Sequence, residues 1–297
     1  PPPPPPPPPP PHPPPPPDHY TLYRSSAASD VYKRQHLDIA VEAAKAGAHE
    51  LLSRWESRTV SEKAPKDLVT DADLASQKAI RSILMNAFDG YAFVGEEEGE
   101  NDPPASVRAG ESGAPACWVV DPLDGTVNYV HRLQSFAVSI GLYHDGKMRL
   151  GVILDPVTGE LYTGIDGQGA KLNDEPISVS DCEDLSQALI ACSFPAGVRS
   201  DSPEVTRFVR VLEKCRSLRR LGSCALNMCY VAAGRLDGYW ATNVSAWDSA
   251  AGTVIAREAG AQLTGFDGGE FDDWLPRFCV TASRPMQEQV VGLLRDN

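Results

Sequence analysis

Two carboxylates three residues apart, Asp121 and Asp124, close the apolar run Cys117 to Val120, and Gly125 and Thr126 follow at once. The apolar run reads as a buried strand. Pro122 keeps Asp121 extended, and Gly125 can turn the chain tightly. Paired carboxylates at a strand end suit a divalent cation. Free amides and the positive end of a following helix suit the phosphate that such a cation would neutralise. Taken alone, an Asp-Gly pair is an ordinary surface turn. Acids in comparable settings elsewhere shift that reading: Asp73 near a helix start, Glu96 directly after the strand Tyr91 to Gly95, and Asp248 where Trp247 leads into a helix. Spacing alone does not make these places converge. If they do, carboxylates about 4 Å apart repel by roughly 4 kcal/mol per pair at an effective dielectric near 20. Hard cations relieve that repulsion, and an all-oxygen set selects Mg²⁺ or Mn²⁺ over zinc.

The elements that must position these acids are legible in outline. Leu37, Val41, Ala44, Ala48, Leu51, Leu52 and Trp55 recur at three and four and predict a helix from His36 to Trp55. Asp67 to Thr70 reads as a short extended piece. Asp71 or Asp73 then caps a helix with Leu74, Ile80, Ile83, Leu84 and Phe88 inside. These acids could serve only as caps and turns. Residues 101 to 116 read as a loop. Phe136 to Tyr143, Met148 to Leu154 and Glu160 to Thr163 predict an antiparallel meander. From Ala188 onward strands and helices alternate: helices through Leu212, from Cys224 to Ala233 closed by Gly234, from Trp247-Asp248 through Ala259 closed by Gly260, and from Pro285 to Leu294, with strands between them. Trp240, Trp247, Cys224 and Cys229 read as core residues.

The chain of 297 residues can hold a sizeable core. Residues 1–17 are proline except His12, and 18–35 lack apolar periodicity, so 1–35 is expected to be a disordered tail, foreign in composition to the rest. Residues 36–184 form a metal-binding α+β half. Residues 185–297 form an α/β half that completes one catalytic unit. The formal charge is −13, which repels nucleic acid and acidic membranes. No apolar stretch is long enough for a signal peptide or a membrane span. The seven cysteines are scattered, without metal spacing. A cytoplasmic protein with reduced thiols is the expectation.

Four motifs together are distinctive: Asp67-Leu68-Val69-Thr70 with Asp73; Gly95-Glu96-Glu97; Asp121-Pro122-Leu123-Asp124-Gly125-Thr126 with Asn128; and Trp247-Asp248-Ser249-Ala250-Ala251-Gly252. In this order and spacing the chain resembles the inositol monophosphatase family of Mg²⁺-dependent, lithium-sensitive phosphatases, from about residue 36 to 297. The resemblance implies an α/β (α+β) fold, an αβαβα layered sandwich of the sugar-phosphatase type. It implies hydrolysis of inositol 1-phosphate to inositol and phosphate by metal-activated water, with two to three Mg²⁺ per site, and a homodimer. Glu96, Asp121 and the Leu123 carbonyl would hold one ion. Asp121, Asp124 and Asp248 would hold a second, and a third would sit near Glu96. Asp73 and Thr126 would pair to deprotonate water, and the Gly125 and Thr126 amides would hold phosphate. Ser223 and Cys224 would lie beside the sugar ring. An upstream lysine would be Lys63 or Lys66.

The chain departs from the family at Ala241, where a glutamate usually meets the inositol hydroxyls; Thr242 or Asn243 could substitute. The same fold and metals could therefore serve fructose bisphosphate, histidinol phosphate or a nucleotide 3′-phosphate. A haloacid-dehalogenase-type phosphatase needs Asp-x-Asp-Gly-Thr, one residue tighter than Asp121 to Asp124. From another class, a regulatory binding protein with an idle site is the alternative, which the full ligand set disfavours.

Overall fold

The computed structural model describes residues 26–64, 67–97, 103–195, 197–274 and 277–295. The chain divides into a unit ending at His36 and a second unit from Leu37 to Asn297. Helix α1 (Ser26–Arg54) begins well before the expected His36. Neither glycine nor proline stands between Ser26 and Ala46 to stop it, so residues 26–35 are helical rather than irregular. The proline-rich stretch lies outside the described residues. The buried face of α1 beyond Leu37 is Ala40, Ala43, Ala44, Ala48 and Leu51, while Leu52, expected inside, is 43% exposed. The helix packs closely through alanine, the expected Ala44 and Ala48 included.

Strands β1 (Val60–Ala64) and β2 (Asp67–Thr70) pair antiparallel and lead into α2 (Asp71–Ala87). The polar sequence of β1 hides it; it is a strand because β2 pairs with it. β3 (Ala92–Gly95) runs parallel to β4 (Cys117–Asp124), with the single turn α3 (Ala105–Arg108) in the connection expected to be only loop. After α4 (Thr126–Val130) come β5 (Ala137–His144), β6 (Lys147–Leu154), β7 (Leu161–Ile165), β8 (Gly169–Leu172) and β9 (Glu175–Pro176). They form a seven-stranded sheet in the order β3-β4-β5-β6-β7-β8-β9, antiparallel from β4 onward, as the meander predicts. The later elements are β10 (Leu189–Ser193), α5 (Pro203–Leu212), β11 (Ser217–Arg219), α6 (Cys224–Ala232), β12 (Gly238–Ala241), α7 (Ala246–Glu258), β13 (Gln262–Gly265), β14 (Phe278–Thr281) and α8 (Arg284–Leu294). Their strands make a five-stranded mixed sheet ordered β11-β10-β12-β14-β13.

Five layers follow from where the apolar side chains go. α1 and α2 cover one face of the large sheet, burying Trp118, Val120, Ile140 and Val152. α6 and α7 lie between the sheets, packed on Ala137, Ile153 and Tyr162 on one side and on Tyr239, Phe278 and Val280 on the other. α5 and α8 close the far face against Ile190, Cys192 and Trp240. The result is the expected αβαβα sandwich. Because α6 and α7 belong to both cores, neither sheet is complete without the middle layer.

That layer sits unusually close to the large sheet. Gly141, Gly151 and Gly164 are directly opposed across β5, β6 and β7. A Cβ on Gly151 would lie 2.2 Å from the Ala251 carbonyl oxygen, and one on Gly164 would lie 2.9 Å from the Ile255 Cα. The glycine row is the bed on which the α7 backbone rests. Among the described residues no helix is long and apolar enough to cross a membrane.

Candidate metal and phosphate site

The site starts from an irregularity in β4. On a regular strand, side chains three apart point to opposite faces. Asp121 pairs with Ser139 but Asp124 pairs with Ala137, so the register slips by one residue between them. A bulge of this kind re-aims side chains. The Leu123 amide donates to Asp121 Oδ1 at 3.0 Å and fixes the bend. Asp121 and Asp124 thereby face one space, and Asp248 joins them. Carboxylate oxygens of the three lie within 4.8 Å of one another.

Asp248 comes from the third position of α7, where a capping box holds it and the Ser245 amide donates to its Oδ2 at 2.6 Å. Glu96 stands one residue beyond β3, beside Asp121, because its amide continues the β3–β4 ladder to the Val120 carbonyl at 3.3 Å. It lies outside the tight trio. Its charge is nonetheless felt by both Asp121 and Asp248.

Asp124 is held on its other side by the start of α6. The Cys224 and Ala225 amides donate to its two oxygens at 3.1 and 2.8 Å, and the Ser223 hydroxyl donates to Oδ2. Ser223 also accepts from the Leu226 amide at 3.1 Å as the N-cap of α6. Both Ser223 and Cys224, expected beside a sugar ring, are buried, and both hold the Asp124 carboxylate. Ala241 is fully buried in the middle core and offers nothing to a ligand, whereas Asn243 is exposed and Thr242 is buried with its Oγ1 unpartnered.

Asp73 is not the N-cap of α2; Thr70 is, with Asp73 at the third helical position closing the box. Its Oδ2 accepts from the Thr70 amide at 2.8 Å and the Thr70 hydroxyl at 2.5 Å. Its Oδ1 faces the Thr126 hydroxyl at 3.4 Å, which also points at the Leu123 carbonyl at 3.1 Å. Thr126 opens α4 directly after Gly125, whose φ of 96° excludes a side chain. A Cβ there would also press on the Ser135 carbonyl at 3.0 Å. Asn128 ties this turn down by donating to the Ser135 and Leu221 carbonyls at 2.7 and 2.8 Å.

Burial and mutual repulsion set the electrostatics. Asp121 is pushed well above the ordinary carboxylate range, first by burial, then by Glu96, Asp124 and Asp248. Burial raises Asp124 to about 6 against the opposing hydrogen bonds from Ser223, Ala225 and Cys224. Burial and the Asp124 charge raise Asp248 to about 7. Asp73 is raised by burial to about 6. Among the described residues, no lysine or arginine is a leading cause of these shifts. Lys66 and the Lys63 side chain lie outside the described residues. Two buried acids and the half-buried Asp248, with oxygen donors only and no cationic side chain prominent among the described residues around them, fit a hard divalent cation.

Two positioning residues escaped the sequence reading. Ser76 and Gln77, polar residues of α2 that the sequence reading does not single out, are both fully buried. Ser76 donates to the Pro122 carbonyl at 2.9 Å, inside the bulge. Gln77 binds the backbone of Glu97. Their place one turn after Asp73 on the same helical face was the available signal.

The family model described as the inositol monophosphatase family matches residues 33–297. The chain is 42% identical over 254 residues to "Inositol monophosphatase 3" of Solanum lycopersicum, covering 83% of this chain and 92% of that one. It is 37% identical over 237 residues to "Nus factor SuhB" of Pasteurella multocida, covering 78% and 86%. The solved structure of the extragenic suppressor protein suhB from Bartonella henselae superposes with a TM-score of 0.80 at 32% identity, covering 88% of this chain and 98% of that one.

Proposed function

We propose, from the premise that this chain belongs to the inositol monophosphatase family, that it is a Mg²⁺-dependent phosphomonoesterase acting on a small phosphorylated polyol, inositol 1-phosphate first. The observation that carries the reading is the carboxylate trio Asp121, Asp124 and Asp248 beside the Thr126–Asp73 pair. Glu96, Asp121 and the Leu123 carbonyl would hold one ion, and Asp121, Asp124 and Asp248 a second. Bound Mg²⁺ would neutralise the phosphate, acidify the attacking water and stabilise an in-line displacement. The chain's own groups do the rest. The Gly125 and Thr126 amides, at the start of α4, offer donors to phosphate oxygens. Ionised Asp73 accepts from the Thr126 hydroxyl, which frees an Oγ1 lone pair to accept a proton from water. Asp73, held by Thr70, then receives the relayed proton.

Phosphate release by the full chain tests this reading on inositol 1-phosphate, fructose bisphosphate, histidinol phosphate and a nucleotide 3′-phosphate, with and without Mg²⁺. Mg²⁺-dependent release with preference for inositol 1-phosphate is expected. Preference for another ester replaces the substrate and keeps the site, a result that buried Ala241 makes informative. No Mg²⁺-dependent release from any ester overturns the enzyme.

A second reading has one specific support, the relatives named Nus factor SuhB. Under it the chain acts by binding a partner and the site is idle. An Asp121→Asn variant that retained the full cellular role would favour that reading.

A further inference from the structure

Glu96 stands one residue past the end of its strand. β3 is the edge of the large sheet and ends at Gly95. The Glu96 amide makes the last ladder bond, to Val120. One residue later, α2 supplies a partner for the Glu97 amide and carbonyl. Gln77, fully buried, accepts from the Glu97 amide through Oε1 at 2.9 Å and donates from Nε2 to the Glu97 carbonyl at 2.7 Å. One side-chain amide thus meets both polar groups of one residue, as a neighbouring strand would. Only one orientation of the amide satisfies both bonds, so oxygen and nitrogen are assigned by the network. The fit is tight: a Cβ on Gly95 would lie 2.5 Å from Gln77 Oε1. Gly95 therefore clears the space that the clamp occupies, and Glu96 lies between the cleared residue and the clamped one.

We propose that Gln77 is a positioning residue which fixes Glu96 for metal binding by clamping the Glu97 backbone from α2, with Gly95 as the space that admits it. The proposal rests on the reading of Glu96 as a metal ligand. Neither Gln77 nor Gly95 needs to touch metal or substrate. Gln77 is the outer partner that determines where the ligand stands, and such partners typically govern metal affinity about 10- to 100-fold. Helix α2 then reaches the site at three successive inward positions: Asp73 to Thr126, Ser76 to the bulge carbonyl, and Gln77 to the Glu96 loop.

The test is calorimetric titration of the metal-free full chain with Mn²⁺, together with amide hydrogen exchange at residues 95–97 in the absence of metal. Gln77→Ala and Gly95→Ala should each weaken one class of Mn²⁺ sites about tenfold and raise exchange at Glu97. Glu96→Gln should weaken the same class. Ile80→Val, in the α2 core, serves as a control for stability loss alone and should leave Mn²⁺ affinity unchanged. Because Gln77 and Gly95 act through one contact, their losses should not add in the double variant. Should Gln77→Ala fail to fold, Gly95→Ala carries the test. Wild-type Mn²⁺ affinity in the Gln77 and Gly95 variants, with Glu96→Gln weakened, overturns the clamp and leaves the site standing. Unchanged affinity in Glu96→Gln removes the underlying assignment and the proposal with it.

Discussion

Asp121 occupies a costly position. It is buried, it faces three other acids, and no cationic side chain among the described residues is prominent in relieving it. Replacing it with asparagine keeps the shape and removes the charge. Asp121→Asn and Asp248→Asn should each abolish Mg²⁺-dependent turnover, by at least about a thousandfold on the scale of electrostatic catalysis. Circular dichroism should remain that of the folded chain. Near-normal rates in either variant would remove the trio from the chemistry. Asp73 carries a different prediction, because its role requires the ionised form. With burial raising it to about 6, the fraction able to accept from Thr126 falls as pH drops through that value. The pH profile of kcat/KM should therefore bend down near 6. Asp73→Asn should lower the rate about 10²- to 10⁴-fold, the usual range for general-base groups, and lose that bend. A bend of unchanged position in Asp73→Asn would assign it to another group. At this scale the sequence singled out acids that the structure brings together, Asp121, Asp124 and Asp248, but not what holds them. Asp121, Asp124 and Asp248 stand out as motif residues, whereas Thr70, Ser76 and Gln77 look like any polar helix start. Their importance comes from burial, which a local pattern does not contain.

Among the elements, α7 shows how packing controls chemistry. It carries Asp248 and lies on opposed glycines of β5, β6 and β7. The same substitution should have opposite signs at two glycines. Gly151→Ala would drive a methyl into the Ala251 carbonyl, at a cost of about 1–3 kcal/mol for overpacking. Gly292, in α8, has open space around a new Cβ, and alanine there should stabilise by about 0.5–1 kcal/mol. Thermal melts of the two variants check the signs. Because Gly151→Ala moves α7, it should also weaken Mn²⁺ binding measured by calorimetry, while Gly292→Ala should not. Equal metal affinity in both would mean α7 can shift without carrying Asp248 away. Most elements were legible because period and turn chemistry agree: Pro203 opens α5, Gly234 follows α6, and Asp145-Gly146 joins β5 to β6. Those missed had no local reason to exist. β1 is charged and is made by its partner, and the β4 bulge depends on β5. The glycine row becomes visible only when three strands are placed in register.

At the scale of the whole molecule the acids set a pH dependence that bound metal should reverse. Asp73, Asp124 and Asp248 are raised from 3.8 to about 6, 6 and 7, and Asp121 is raised further by its neighbours. Between about pH 4 and 7 the folded chain therefore holds protons that the unfolded chain has released. Stability falls with rising pH wherever the folded state binds more protons, so the metal-free protein should lose stability across that window. Glu160 and Asp166 pull the other way, since Arg235, Lys147 and Arg149 hold both below the usual range. Their contribution is lost only below the ordinary carboxylate range, outside the window. The formal charge of −13 adds general repulsion as pH rises, but salt screens exposed charges and leaves a buried cluster largely unscreened. Burial holds His144 below its ordinary 6.5 and opposes the cluster within the window, so melts at about 0.5 M salt weigh three to four raised carboxylates against one histidine. The metal-free Tm should be lower at pH 8 than at pH 5.5, and Asp121→Asn should raise the pH 8 value. Mg²⁺ should raise Tm more at pH 8 than at pH 5.5, because protonated ligands do not bind it. A metal-free Tm that climbs from pH 5.5 to 8, or a Mg²⁺ effect independent of pH, would mean the four acids do not share one desolvated site.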